Sequence, residues 1–117
     1  MDEERIVHIH FKATEQHGLA EARVIVDTHN SLAEGTPCPV LADIQEVTIG
    51  ADREARTHYV SDESARYKTG MAMVVRTPMQ RMLGNLFFKI NRPPYPTRLF
   101  NEEDEAIEWL RGLDTAP

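Results

Sequence analysis

Arg5 to Ala13 alternates with a period of two. Val7, Ile9, Phe11 and Ala13 make a strongly apolar face, and Ile6, His8, His10 and Lys12 make the other. That pattern predicts a strand with one buried face. From Gly18 the period lengthens to that of a helix. Leu19, Ala22, Ile25, Val26, His29 and Leu32 form its inner stripe, and Gly35-Thr36-Pro37 ends it. Pro39 to Ile44 is nearly all apolar, as expected of a strand covered on both faces, with Asp43 near its end. Gln45 to Ala51 is a connection. Asp52 then caps the second helix, running to about Tyr67, with a thin face of Ala55, Tyr59, Val60 and Glu63. Met71 to Val75 reads as another buried strand.

The latter part is written most clearly. Thr77-Pro78-Met79-Gln80 has the form of a capping box with proline where no N–H is needed. Met79, Met82, Leu83, Leu86, Phe87 and Ile90 recur at helical spacing and predict the inner stripe of that helix. Arg92-Pro93-Pro94-Tyr95-Pro96 stops it. Thr97 to Phe100 is a short strand, and Asn101 is the expected cap of a last helix. That helix buries Ala106, Ile107, Leu110 and Leu113, with Trp109 partly buried at its edge. The result is four consecutive β-α units in one domain over residues 1–117. Such alternation predicts an α/β fold with a mainly parallel four-stranded sheet and right-handed crossovers.

A chain of 117 residues can bury roughly two-thirds of its unfolded surface, so it needs no disulfide or metal to fold. The single cysteine, Cys38, is read as a passive small residue between two prolines. No run approaches the ~20 apolar residues of a membrane span. The acidic start lacks a signal-peptide core, so a cytoplasmic location is expected. Net charge is −6, which argues against nucleic-acid binding. The charge is uneven. Residues 76–98 carry Arg76, Arg81, Lys89, Arg92 and Arg98 and no acid, leaving −11 on the remainder.

With these elements in place, the chain resembles the sporulation anti-anti-sigma group, the SpoIIAA-like or STAS fold. It is most similar to uncharacterised bacterial proteins of that superfamily. The resemblance rests on Arg76-Thr77-Pro78-Met79-Gln80-Arg81-Met82-Leu83-Gly84-Asn85, on Arg92-Pro93-Pro94, on Arg98-Leu99-Phe100, and on Glu105-Ala106-Ile107-Glu108-Trp109-Leu110. It covers most of Val40 to Leu113. In the anti-sigma antagonists a strand and loop lead to a phosphorylated serine at the next helix N-terminus. Here Asp43-Ile44-Gln45-Glu46-Val47-Thr48-Ile49 is similar to the lead-in. Gly50-Ala51-Asp52-Arg53 follows, so Ala51 or Asp52 replaces the acceptor. The resemblance therefore implies the fold without the phosphoswitch. Asp52 reads as a helix cap worth about 1 kcal/mol, or else as a permanent mimic of the phosphoserine. Asp43, Thr48, Asp52 and Arg53 make up the switch-equivalent loop.

Candidate chemistry is sparse. His8 and His10 share a strand face, but no Cys/His cluster or His-Glu-x-x-His pattern supplies further ligands, and no metal or cofactor is expected. His17, His29 and His58 are isolated in sequence. No nucleophile elbow, phosphate-cradling loop or dinucleotide fingerprint occurs. Asp43, near the C-terminal end of a central strand, stands where open α/β sheets place ligands, or else it bonds its own loop. Taking ~100° per residue, Phe88 stands about 180° from Met79. It is therefore expected on an outer face with Arg81, Gly84 and Arg92, a composition suited to an interface.

These readings predict a non-enzymatic protein–protein interaction module, regulatory in setting and self-associating as a dimer through Arg81, Gly84, Phe88 and Arg92. The alternative is a binder of a small apolar, lipid-like ligand. CRAL-TRIO lipid-binding proteins are grouped with this fold. No nucleic-acid or membrane partner is expected. An apolar cavity between sheet and helices would favour the ligand; a flat patch around Phe88 would favour the interface.

Overall fold

The structure, a computed structural model, describes residues 4–12, 17–47 and 50–114. The elements run β1 (Val7–His10), α1 (Leu19–Ala33), β2 (Cys38–Asp43), α2 (Arg53–Tyr59), α3 (Asp62–Ala65), β3 (Lys68–Val74), α4 (Pro78–Asn91), β4 (Thr97–Phe100) and α5 (Glu103–Asp114). The four strands are all parallel, in the order β1-β2-β3-β4. The chain thus steps across the sheet in one direction. Crossovers of one hand then put every connecting helix on the same face. The terminal α5 folds over the other face.

Each face has its own core. Under α5, Ile6, Leu41, Ala72, Val74 and Phe100 pack against Ala106 and Leu110. On the opposite face, Val7, Val40, Ala42 and Met71 pack with Ala33 of α1. β2 is buried along its length except at Asp43, as its continuous apolar run required. Trp109 is partly buried, its ring centroid 5.7 Å from that of Phe100.

The α4 capping box forms as its sequence predicts. Thr77 Oγ1 accepts from Gln80 N, and the Gln80 side chain accepts from Thr77 N. Three elements differ. The helix expected from Asp52 to Tyr67 is two short helices, because Ser61 caps a new start by accepting from Ser64 N. β3 accordingly begins at Lys68, earlier than the expected Met71. Asn101 does not cap α5; its Oδ1 accepts a hydrogen bond from Arg81.

The largest correction concerns the facing of α4. Gln80 and Gly84 are buried against the sheet, and Phe88 is half-buried against the core beneath α1. Met79, Met82, Leu86 and Ile90 are 51%, 62%, 50% and 63% exposed. Four of the six expected inner residues are therefore outer ones, and only Leu83 and Phe87 stay part-buried. Phe88 and Gly84 do not stand on an exposed face, and Arg81 and Arg92 do not frame them there. Two local facts outweigh the apolar count. Gly84 lets the helix axis approach Leu99 and Met73 closely. Gln80 buries its amide with every bond met: Nε2 donates to the carbonyls of Gln45 at 2.9 Å and Val47 at 3.1 Å, while Oε1 accepts from Arg76 N at 2.8 Å.

Candidate ligand cavity

Between the sheet and the helices α1, α2 and α4 lies a partly open cavity of about 420 Å³. Its floor is Ile9, Ala42, Met71 and Met73; its roof is Ile25 and Val26 of α1 with Leu83 and Phe87 of α4. Leu86 and Ile90 line it while half or more exposed, so they form its rim. The exposed stripe of α4 continues outward from that rim.

Polar groups enter at separate places. His17 and Tyr59 share a 2.5 Å hydrogen bond through Nε2 and Oη, and Phe11 stacks on the His17 ring at 5.6 Å. Burial raises the Tyr59 pKa and lowers that of His17, so both stay neutral at pH 7. Arg56, beside them, donates to Ala51 O at 2.7 Å.

The second polar place is set by β3 and α1. Cys38 pairs with Lys68, but the next residue, Pro39, pairs with Gly70. β3 thus carries one extra residue, and a bulge of this kind reverses which face the preceding side chain takes. Gly70 lies against Leu113 of α5, and Ala72 and Val74 belong to the core beneath α5. Lys68 instead lines the cavity on the other face, with only 9% of its surface exposed. Its Nζ donates to Ser64 O at 2.5 Å and Ser64 Oγ at 2.8 Å. Burial brings its pKa down to about 8, with Cys38 acting weakly the other way. His29, 1% exposed, also lines the cavity. Its Nε2 donates to Tyr67 O at 2.9 Å, and its Nδ1 is buried without a partner. Burial lowers its pKa, and the nearby Lys68 charge lowers it further.

The other sequence candidates lie elsewhere. Asp43 Oδ1 accepts from Gln45 N at 2.9 Å, and its Oδ2 is 3.7 Å from His10 Nδ1. Asp52 Oδ1 accepts from Ala55 N at 2.9 Å, which makes it the cap of α2, and Arg53 is exposed on the first turn. Thr48 lies outside the described residues. Gln45, Val47 and Ala51 of this connection are held by Gln80, by Arg76 Nη2 on Gln45 O at 3.1 Å, and by Arg56. His8 and His10 contact different acids, Glu103 and Glu46 respectively. Among the described residues no three of His, Cys, Asp and Glu are placed to hold a metal ion. His58 does not line the cavity. No helix among the described residues is long and apolar enough to cross a membrane.

Sequence reasoning placed His29 on a packing face and missed Lys68 and Tyr59 as cavity residues. Strict alternation back from Val74 and Ala72 puts Lys68 on the α5 face; only the bulge moves it. A lysine directly before an apolar strand was the available signal.

The chain belongs to the family DUF7793, a domain of unknown function, whose model matches residues 1–114. No curated protein is significantly similar to it. Among solved structures it is similar to an uncharacterised protein of the DUF3478 family with a SpoIIAA-like fold from Shewanella loihica PV-4. The TM-score is 0.64 at 15% identity, over 88% of this chain and 82% of that one. A likeness at this identity establishes the fold, and the fold is SpoIIAA-like, as the residues of its latter half implied.

Proposed function

We propose that the protein binds a small, mainly apolar ligand between its sheet and the helices α1, α2 and α4. The observation that carries this reading is the cavity itself. Protein interiors close-pack and leave few voids larger than a water molecule. A space of about 420 Å³ with apolar walls and a rim of exposed Leu86 and Ile90 has the size and character of a small-molecule site. The few polar groups that reach it suit orientation of a ligand rather than bond breaking. None is a nucleophile paired with a base at a strand end.

Nile red titration tests the reading directly. Fluorescence should saturate at one dye per chain. Leu83→Trp, which fills the cavity beneath α4, should abolish it without lowering the melting temperature by more than a few degrees. Absence of saturable binding to the wild type, or unchanged binding to Leu83→Trp, would sink the idea.

A second reading is favoured by one observation, the exposed stripe of Met79, Met82, Leu86 and Ile90. Contiguous exposed apolar surface marks an interaction site. The occupant that its surroundings fit is a second copy of this chain. The segment 76–98 is purely basic, and the remainder of the chain carries −11. Such pairing would make the protein an interaction module, with this stripe in place of the Phe88 face.

A further inference from the structure

We propose that the cavity ligand is a monocarboxylic acid with a hydrocarbon tail, its carboxyl group held by Lys68 and His29. This rests on the ligand-binding reading and names the ligand class.

Two buried polar groups at one end of the cavity are incompletely satisfied. Lys68 has three N–H donors and places two of them on Ser64. No carboxylate lies within ion-pair distance of it among the described residues. A buried ammonium without a counter-charge is among the costliest groups a fold can carry. His29 has its Nε2 fixed on Tyr67 O, and its Nδ1 faces no partner. The two side chains are near enough for the Lys68 charge to act on the His29 ring.

A carboxyl group complements this pair. One oxygen accepts the third Lys68 N–H, and its negative charge answers the ammonium. The other oxygen accepts from His29 Nδ1, the ring taking up one proton from solvent as the carboxylate binds. An alcohol offers a hydrogen bond but no charge, and an ester offers neither charge nor proton. Phosphate esters carry more charge than one ammonium matches. The remaining walls are apolar, so the rest of the ligand is hydrocarbon.

Size limits its length. At the ~30 Å³ that a water-sized group takes, about 420 Å³ holds on the order of fourteen non-hydrogen atoms. Two are the carboxyl oxygens. That leaves a chain of roughly ten to twelve carbons.

Isothermal titration of the wild type with decanoic acid, 1-decanol and methyl decanoate, below their aggregation limits, tests this. Decanoate should bind one per chain and at least tenfold more tightly than decanol or the ester. Lys68→Met should lose at least tenfold in decanoate affinity and leave decanol within about twofold. His29→Gln should weaken decanoate by a smaller factor. Equal binding of all three ligands to the wild type overturns the carboxyl anchor and leaves the apolar site standing. Binding of none overturns both. The wild-type comparison decides the matter even if Lys68→Met does not fold.

Discussion

Gly84 lies against Leu99: a Cβ built on the glycine would stand 2.8 Å from Leu99 Cδ2 and 3.1 Å from Met73 Sδ. This contact fixes the roll of α4 on the sheet. It also sets which of the helix's apolar side chains line the cavity and which face outward. Gln80 one turn earlier locks the same roll through the backbone of Gln45 and Val47.

Gly84→Ala reads that contact. On an exposed helix face alanine would stabilise by about 1 kcal/mol. Against Leu99 and Met73 it overpacks, at a cost of about 1–3 kcal/mol. The obstructing atoms are ends of flexible side chains, so the net loss should be about 1 kcal/mol. Chemical denaturation measures it. A gain in stability would return Gly84 to the outer face and reverse the orientation of α4.

The sign of that roll was beyond the sequence for a physical reason. Period alone places Met79, Met82, Leu86 and Ile90 together on one side of α4, and Phe88 opposite Met79. It does not say which side meets the sheet. The larger apolar side was the natural inner face, yet a glycine that permits close approach and a glutamine with four bonding sites decided otherwise. The α/β alternation, the capping box at Thr77, the β4 strand and the α5 stripe were all legible, because each is local. Lys68 was not, because its facing depends on a bulge that appears only when β3 is paired with β2.

Trp109→Ala tests the other face of the sheet. The ring is partly buried against Phe100 and the core beneath α5. Truncating a fully buried large aromatic costs about 3–5 kcal/mol, and this one is only partly buried, so about 2 kcal/mol is expected. Urea denaturation of wild type and variant gives the value. A shift within 0.5 kcal/mol, about the level of a neutral surface change, would detach Trp109 from the core.

Met82→Glu addresses the exposed stripe. Met82 is 62% exposed and does not line the cavity. Its replacement should change stability by no more than about 0.5 kcal/mol. If a second copy covers the stripe, sedimentation should show wild-type dimers and mutant monomers, since a buried unpaired carboxylate is strongly unfavourable. A wild type that stays monomeric at high concentration removes the self-pairing reading. Dimers of equal strength in both proteins move the interface off α4.

Lys68→Met should make the unliganded protein more stable, which separates a binding role from a structural one. At pH 7 the lysine is charged both folded and unfolded, and burial makes the folded form bear the desolvation cost. Its folded pKa of about 8 lies below the ordinary 10.5. Between those values the unfolded chain binds more protons, so wild-type stability rises with pH across this window and gains nothing further from Lys68 above it. Below about pH 8 the full cost remains. Replacing a buried, unpaired ammonium by a hydrophobe of similar length removes that cost, although Ser64 Oγ and the Ser64 carbonyl lose their donor. A net gain of about 1–2 kcal/mol at pH 7 is expected. The difference between the two proteins should shrink as pH rises from 8 to 10.5. Guanidinium denaturation at pH 7, 9 and 10.5 measures both. A variant less stable than wild type at pH 7, or a difference that does not change with pH, would show that Ser64 alone holds the ammonium favourably and would remove the desolvation cost that a ligand carboxylate relieves.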